Sequence, residues 1–193
     1  MNYIHDTIPG FCNYYNLYND ILDRMEDTQT FVEVGVWKGH SISYAVVESI
    51  KKNKKIKFYA VDTFKGSPGE LNILNDQSIK NDTLFDEYCN NIKPIKEYIT
   101  TLKMDSVEAA KQFQNQSIFF VYIDASHNYE SVKADIIAWL PKIITGGYIG
   151  GHDFGNNDQP DGGVQKAVTD VLANKNIELY NLGWASWLYK VER

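Results

Sequence analysis

The sequence has 193 residues, a length typical of one α/β domain. Its 19 basic and 25 acidic side chains give a formal net charge of -6, which argues against nucleic-acid binding driven by bulk positive charge. The two cysteines, Cys12 and Cys89, lie in no paired motif, and Met1–Gly10 does not read as a secretory signal. We therefore expect one cytoplasmic domain, 1–193, without a membrane-spanning segment.

Short apolar runs alternate with helical patterns from residue 30 onward. Strands are predicted at Thr30–Gly35, Phe58–Asp62, Tyr98–Leu102, Ile118–Ile123, Tyr148–Ile149, Ile177–Tyr180 and Trp184–Val191. Helices are predicted after Gly39, at Ser106–Phe113, around Val132–Leu140 and at Val164–Leu172. This alternation predicts an α/β fold with a doubly wound, mostly parallel seven-stranded sheet that ends in a C-terminal antiparallel hairpin.

Two segments fall outside this alternation. Residues 1–28 carry Leu17, Ile21, Leu22 and Met25 at helical spacing and predict an N-terminal helix. Residues 66–94 are polar, rich in Asn and Asp, and form an insertion or lid candidate. Because no repeat or linker separates these segments from the rest, we assign them to the same domain.

Reactive residues collect where the predicted strands end. Glu33 and Gly35 end the first strand, Asp62 the second and Asp124 the fourth, while Asp105 follows the third. His152 and Asp153 end the fifth strand. Since ligands of such sheets bind outside the carboxyl ends of the strands, we predict a ligand site at this edge.

The first of these strand ends carries a glycine motif. Residues 33–39 read E-x-G-x-x-x-G between a strand and a helix. Glycines there permit a tight turn and let the backbone approach a ligand, although they can equally serve the turn alone. Trp37 stands where a dinucleotide fingerprint has its second glycine, which argues against NAD or FAD.

Acidic residues after the next two strands suggest a nucleoside. Asp62 is placed to accept hydrogen bonds from the vicinal hydroxyls of a ribose, and Phe64 to lie against the ribose or adenine. The alternative is that Asp62 closes a turn and Phe64 packs in the core. Asp105 and Ser106 either border the adenine edge or, for Asp105, cap the helix that follows.

Four stretches together carry a family resemblance. They read FVEVGVWKGHSI, FYAVDTF, DSVEAA and FVYIDASHNYESVKADIIAWLPKIITGGYIGGHDF. They resemble a class I S-adenosylmethionine (SAM)-dependent methyltransferase, and more narrowly the small O-methyltransferase family that includes macrolide-sugar and related sugar methyltransferases. The resemblance runs from Thr30 to the C-terminus and is most specific over 123–153.

The resemblance implies a Rossmann-like fold and SAM as the cofactor. It implies that Glu33, Gly35 and Gly39 belong to the methionine-side loop, that Asp62 binds the ribose and that Ser106 neighbours the adenine. We add to the cofactor-binding set Ser41, Phe64 and Asp105. One departure is the run Gly-Ser-Pro-Gly-Glu at 66–70, where relatives more often have an acidic Gly-Asp, and it bears on the shape of this loop.

The fourth and fifth strand ends predict a metal site. Asp124 and Asp153 offer hard oxygen ligands for Mg²⁺ or another divalent metal, which would lower the pKa of an acceptor hydroxyl. In the metal-dependent O-methyltransferases that the chain resembles, acidic residues at these two places hold the ion. Here His152 replaces one carboxylate, and imidazole suits transition metals better than Mg²⁺.

His127, three residues beyond Asp124, offers a second mechanism. It is a candidate general base for a substrate hydroxyl, with or without a metal. The alternatives are that His127 caps the following helix and that His152 is a structural loop histidine. The candidate catalytic residues are therefore Asp124, His127 and His152.

Together these features predict O-methylation of a hydroxyl on a small acceptor such as a sugar. One alternative is a SAM- or nucleotide-binding module without catalysis, and another is an NAD-dependent oxidoreductase. We expect a small-molecule hydroxylated acceptor as the partner, with neither nucleic acid nor membrane.

Overall fold

The computed structural model describes residues 4–10, 12–67, 75–155, 162–173, 175–180 and 185–192. In these ranges the strands are β1 (Thr30–Val34), β2 (Lys57–Asp62), β3 (Ile99–Lys103), β4 (Ile118–Ile123), β5 (Ile143–Phe154), β6 (Ile177–Tyr180) and β7 (Ala185–Lys190). The α-helices are α1 (Tyr15–Arg24), α2 (His40–Lys51), α3 (Gln77–Lys80), α4 (Leu84–Asn91), α5 (Ser106–Ala110), α6 (Tyr129–Trp139) and α7 (Gly163–Val171). Short 3₁₀ turns occupy Ile4–Thr7, Lys93–Tyr98 and Leu140–Lys142.

The strands form one seven-stranded sheet in the order β3-β2-β1-β4-β5-β7-β6. Strands β1 to β5 are parallel, and β7 lies antiparallel between β5 and β6. The predicted parallel sheet with a closing antiparallel pair is therefore confirmed. The strand order reverses between β1 and β4, and at such a switch point the loops diverge and leave a crevice for a ligand.

Helices cover both faces of the sheet. Helices α1, α2 and α4 pack on one face through Leu17, Ile42 and Tyr88, and α5, α6 and α7 pack on the other. All six residues of β4 are buried, as expected of a central strand covered on both faces. No α-helix in the described ranges is long and apolar enough to cross a membrane.

Several element bounds differ from the sequence predictions. Strand β5 begins at Ile143, before the glycine pair predicted to precede it, and Gly150 and Gly151 within it pack directly against the neighbouring backbone. Strand β3 begins at Ile99 and not at Tyr98, and α5 ends at Ala110. These ends are set by packing against neighbouring elements, which local patterns do not encode.

The candidate lid segment, 66–94, is only partly described. Its described C-terminal part contains α3 and α4, and Leu84 and Tyr88 of α4 are buried in the core, 0–1% exposed. Residues 68–74 and 156–161 lie outside the described ranges, as does Trp184 at the predicted start of the last strand. Helix α4 thus packs into the core beside the start of α2, where Tyr88 lies against Gly39.

Candidate active site

Loop 35–39 between β1 and α2 requires glycine at both ends. Gly35 has φ +87°, and a Cβ there would overlap the carbonyl oxygen of Asp124. Gly39 has φ +89° and precedes the first residue of α2. The absence of a side chain at Gly35 lets the residue after β1 lie directly against Asp124, the residue after β4. Loop 35–39 and the residue that follows β4 are therefore adjacent.

Asp62 closes this loop. Its Oδ2 accepts hydrogen bonds from the backbone N–H groups of Val36 and Trp37, at 2.9 and 2.8 Å. Its Oδ1 accepts from the N–H of Phe64 at 2.7 Å. Burial raises the pKa of the Asp62 carboxyl, and these backbone hydrogen bonds oppose the shift. The backbone N–H of Thr63 also acts on this carboxyl, so four backbone N–H groups face its roughly four acceptor positions.

Phe64 is not placed as the sequence predicted. Its side chain is 3% exposed and packs against Phe85 and Tyr88, with ring centroids 4.9 Å apart in both cases. A ring buried in this way has almost no surface for an adenine or a ribose. The structure therefore agrees with the packing alternative. The backbone N–H of Phe64 still donates a hydrogen bond to Asp62.

Glu33 also differs from its predicted position on the cofactor. It is fully buried, and its two carboxyl oxygens accept hydrogen bonds from the hydroxyls of Ser41 and Tyr18. Burial raises its pKa to about 8, so the group is a neutral acid below that pH. Glu33 thus joins β1 to α1 and α2, and both of its carboxyl oxygens are engaged within the protein.

The residues after β3 form a helix cap. Asp105 accepts hydrogen bonds from the N–H groups of Val107 and Glu108, at 2.9 and 3.2 Å, and its side chain is exposed. The Ser106 hydroxyl accepts from Trp139 Nε1 at 2.9 Å and bonds to Asp135. The capping alternative for Asp105 is the one observed, and the Ser106 hydroxyl is directed toward α6.

The four side chains predicted at the reactive end do come together. His127 Nε2 lies 3.0 Å from Asp153 Oδ2 and 3.7 Å from Asp124 Oδ1. His152 Nδ1 lies 3.0 Å from the same Asp153 oxygen. We call Asp124, His127, His152 and Asp153 the reactive cluster. The cap of α6 is Asn128, whose Oδ1 accepts from the N–H of Ser131, so the cap alternative for His127 is wrong.

Asp153 is placed in the reactive cluster by an irregular backbone. Asp153 has φ +60°, which is uncommon for a residue other than glycine, and it is 4% exposed. The β5–β7 ladder changes register between Gly151 and Phe154, and such bulges re-aim side chains. The buried carboxylate consequently contacts both histidines. Burial alone would lower the pKa of His152, but the hydrogen bond to Asp153 and the nearby carboxylates raise it.

The same residues meet the spatial requirement for a metal ion. One ligand atom each from Asp124, His152 and Asp153 can lie within 4.8 Å of one another. The set mixes carboxylate oxygens with an imidazole, which fits a divalent transition metal better than Mg²⁺. Both ring nitrogens of His152 are engaged by protein oxygens, Asp153 Oδ2 and Asn13 Oδ1, so metal binding there would exchange one of these contacts.

Two residues of the site were missed by the sequence predictions. The Tyr14 hydroxyl donates to Asp124 Oδ2 at 3.1 Å, and Asn13 Oδ1 lies 2.9 Å from His152 Nε2. Both precede α1 and are far in sequence from their partners. The run of polar and aromatic residues at 13–15 was a weak signal, and it carried no motif that could assign a role.

Comparison with known proteins identifies the class of this fold and site. The family model described as Methyltransferase domain (Methyltransf_24) matches residues 32–154. The chain belongs to this family and is a class I SAM-dependent methyltransferase. The NAD-dependent oxidoreductase alternative is therefore set aside.

Individual relatives are more distant. The chain is 26% identical over 180 residues to the uncharacterized protein R132 of Acanthamoeba polyphaga mimivirus, covering 90% of this chain and 76% of that protein. The structure of the O-methyltransferase NovP matches with a TM-score of 0.68 at 15% identity, covering 93% and 79% of the two chains.

Two further structures share the fold. SMU.1697c of Streptococcus mutans, solved in complex with S-adenosylhomocysteine (SAH), has a TM-score of 0.61 at 12% identity, covering 94% of this chain and 100% of that one. An rRNA methylase of Streptococcus thermophilus has a TM-score of 0.60 at 11% identity, covering 95% and 100%. Since proteins of this fold include an rRNA methylase, the fold does not support the expectation that nucleic acid is excluded.

Proposed function

We propose that this protein transfers the methyl group of SAM to an oxygen of a small hydroxylated acceptor at the reactive cluster. The observation that carries the proposal is the 3.0 Å contact between His127 Nε2 and Asp153 Oδ2, at the end of the sheet that also carries the glycine loop. Because Gly35 lies against Asp124, a cofactor on this loop would present its methyl group beside the cluster.

The proposed cofactor contacts follow from the loop geometry. The backbone of residues 35–39 would hold the methionine end of SAM, since glycines at 35 and 39 allow close approach. Asp62 would share its carboxylate between the loop amides and the ribose hydroxyls. Residues 105 and 106 would border the adenine through their backbone, because the Ser106 hydroxyl is directed toward Trp139.

For methyl transfer, the protein must position the methyl group of SAM next to the acceptor oxygen and remove one proton from that oxygen. The methyl group leaves the sulfonium of SAM as the acceptor oxygen forms its new bond to carbon, and SAH departs with the electron pair of the broken C–S bond. The acceptor O–H must lose its proton for the oxygen to be a good nucleophile. A neutral His127 that donates its Nε2–H to Asp153 has its lone pair at Nδ1, and we assign that atom as the proton acceptor.

Asp153 would support this step electrostatically. A buried carboxylate bonded to an imidazole holds the tautomer and stabilises the imidazolium that forms on protonation. Asp124, 3.7 Å from His127 Nε2, adds a second negative charge on the same side. The two carboxylates therefore favour proton uptake by His127.

A divalent metal held by Asp124, His152 and Asp153 is a second proposal for the same site. It is supported by the convergence of the three ligand groups within 4.8 Å. When bound, such an ion would polarise the acceptor hydroxyl and lower its pKa.

We also propose that the acceptor is a small molecule and not a nucleic acid. The formal net charge of -6 and the two carboxylates of the reactive cluster would repel a polyanion, whereas a neutral polyol carries no such penalty. An acidic site of this kind suits a sugar-like hydroxyl.

Titration calorimetry with SAM, SAH and NAD tests the cofactor, and SAM and SAH should bind while NAD does not. Binding of NAD without SAM would overturn the proposal. Release of SAH is then followed with monosaccharides, disaccharides, catechol and RNA as acceptors. We expect turnover with a small hydroxylated compound, and turnover with RNA alone would overturn the small-molecule proposal.

A further inference from the structure

We propose that Asn13 and Tyr14, in the segment before α1, are positioning residues that hold His152 and Asp124 in the orientations of the reactive cluster. This inference rests on the proposed function, because it concerns the same reactive cluster. Its evidence is separate, because neither residue belongs to the strand ends from which the site was predicted.

One end of the reactive cluster is held by Tyr14. Its hydroxyl donates to Asp124 Oδ2 at 3.1 Å. The other oxygen, Oδ1, is the one that lies 3.7 Å from His127 Nε2. Tyr14 therefore decides which carboxylate oxygen of Asp124 faces the histidine.

The Tyr14 side chain is itself fixed by packing. It is 2% exposed, and its ring centroid lies 5.1 Å from Tyr18, 4.7 Å from Tyr122 and 5.2 Å from His152. Burial and the charge of Asp124 raise the pKa of its hydroxyl well above the usual value. The group consequently stays protonated and remains a donor to the carboxylate throughout the neutral pH range.

The other end of the reactive cluster is held by Asn13. Its Oδ1 lies 2.9 Å from His152 Nε2, while Nδ1 of the same ring lies 3.0 Å from Asp153 Oδ2. An imidazole held at both nitrogens cannot turn. The amide oxygen of Asn13 and the carboxylate of Asp153 both only accept, so the two contacts together require a proton on each ring nitrogen, including Nε2. The proton on this nitrogen is therefore an observable signature of the contact.

The two contacts enclose the reactive cluster from adjacent residues. Tyr14 contacts Asp124 at one end of the reactive cluster, and Asn13 contacts His152 at the other end. His127 and Asp153 connect these two ends through their own contacts. A segment that fixes both ends at once sets the spacing of the carboxylates and imidazoles between them. This is the geometry on which proton removal from the acceptor depends.

The test compares Tyr14→Phe, Asn13→Ala and the conservative Asn13→Asp, which keeps an oxygen acceptor. Tyr122→Phe is the matched control, because it also removes a buried tyrosine hydroxyl, but one bonded to Ser186 Oγ at 2.8 Å. The readouts are calorimetric titration with SAH and ¹⁵N NMR of the histidine rings, which reports which nitrogen carries a proton.

We expect loss of the His152 Nε2–H signature in Asn13→Ala and its retention in Asn13→Asp. Tyr14→Phe should shift the ring signals of His127, and Tyr122→Phe should leave both rings at their wild-type positions. SAH affinity should be unchanged in all variants, because the cofactor loop is not touched.

Unchanged spectra of both rings in Asn13→Ala and Tyr14→Phe would overturn the inference while SAH still binds. Failure of the wild-type protein to bind SAH would instead overturn the proposed function, and the ring spectra would still decide the positioning role. If Tyr14→Phe does not fold, the two Asn13 variants decide alone.

Discussion

His127 Nε2 lies 3.0 Å from Asp153 Oδ2, so an imidazole from the loop after β4 meets a buried carboxylate at the bulged end of β5. The pair brings an imidazole and a negative charge together beside the glycine loop. A base oriented by a carboxylate is a recurring arrangement for activating a hydroxyl.

His127→Gln and Asp153→Asn should each slow methyl transfer. Removal of a general base typically lowers the rate by about 10² to 10⁴-fold, and Asp153→Asn removes the charge that favours proton uptake. The measurement is the rate of SAH release with an accepted hydroxyl compound, beside SAM affinity, which should not change. Asp170→Asn, an exposed carboxylate that accepts from Tyr129, is the control with the same chemical change. Full turnover in His127→Gln would contradict the assigned base.

Glu33→Gln should remove a pH-dependent loss of stability. The pKa of Glu33 is raised from 4.5 to about 8 by burial, so between these values the folded state holds a proton that the unfolded state has lost. Stability contributed by this group is fully present below pH 4.5, falls by at most about 1.4 kcal/mol per pH unit as pH rises, and levels off above pH 8.

Glutamine imitates the neutral acid, since its amide can accept from Tyr18 and donate to Ser41. Urea unfolding at several pH values should therefore show Glu33→Gln gaining stability over the wild type as pH rises from 5 to 8. If the free energies of unfolding of the two proteins instead changed with pH in parallel, Glu33 would be ionised in the folded state.

Gly35→Ala should damage both stability and cofactor binding. Its Cβ would overlap the backbone of Asp124 and Ala125, which cannot move as a flexible side chain can. Gly146→Ala is the matched control, because Gly146 also has a positive φ but its Cβ would meet nothing within 4 Å. The control should lose about 1–2 kcal/mol from its backbone conformation alone. Urea unfolding should show a larger loss for Gly35→Ala, and equal losses would contradict the close approach of β1 and β4.

Metal binding at the reactive cluster is open to direct measurement. After treatment with a chelator, Mn²⁺ or Zn²⁺ should bind more tightly than Mg²⁺, because the set contains an imidazole. Asp124→Asn should weaken binding, whereas Asp105→Asn, at an exposed helix cap, should not. Calorimetry that detects no ion binding to the wild type would remove the metal proposal and leave the His127 proposal intact.

The ends of the predicted strands correctly indicated that the four residues of the reactive cluster lie close together. Asp124, His127, His152 and Asp153 follow apolar runs of a parallel sheet, whose carboxyl ends share one edge, so their convergence could be predicted from order alone. The burial of Glu33 and Phe64 was not predicted, because a motif gives a residue its position along the strand but not the helix that packs over it. Only the tertiary contacts show that Tyr18 and Ser41 take both oxygens of Glu33.

The sequence by itself determined the fold class, the mostly parallel direction of the strands and the edge of the sheet at which the reactive cluster lies, because all three follow from local periodicity and strand ends. Only the tertiary structure decided that β7 inserts between β5 and β6, that a bulge aims Asp153 at both histidines, and that Asn13 and Tyr14 reach the site. Those features depend on contacts between residues far apart in the chain, which are selected by packing of the whole domain and leave no periodic signal in the sequence.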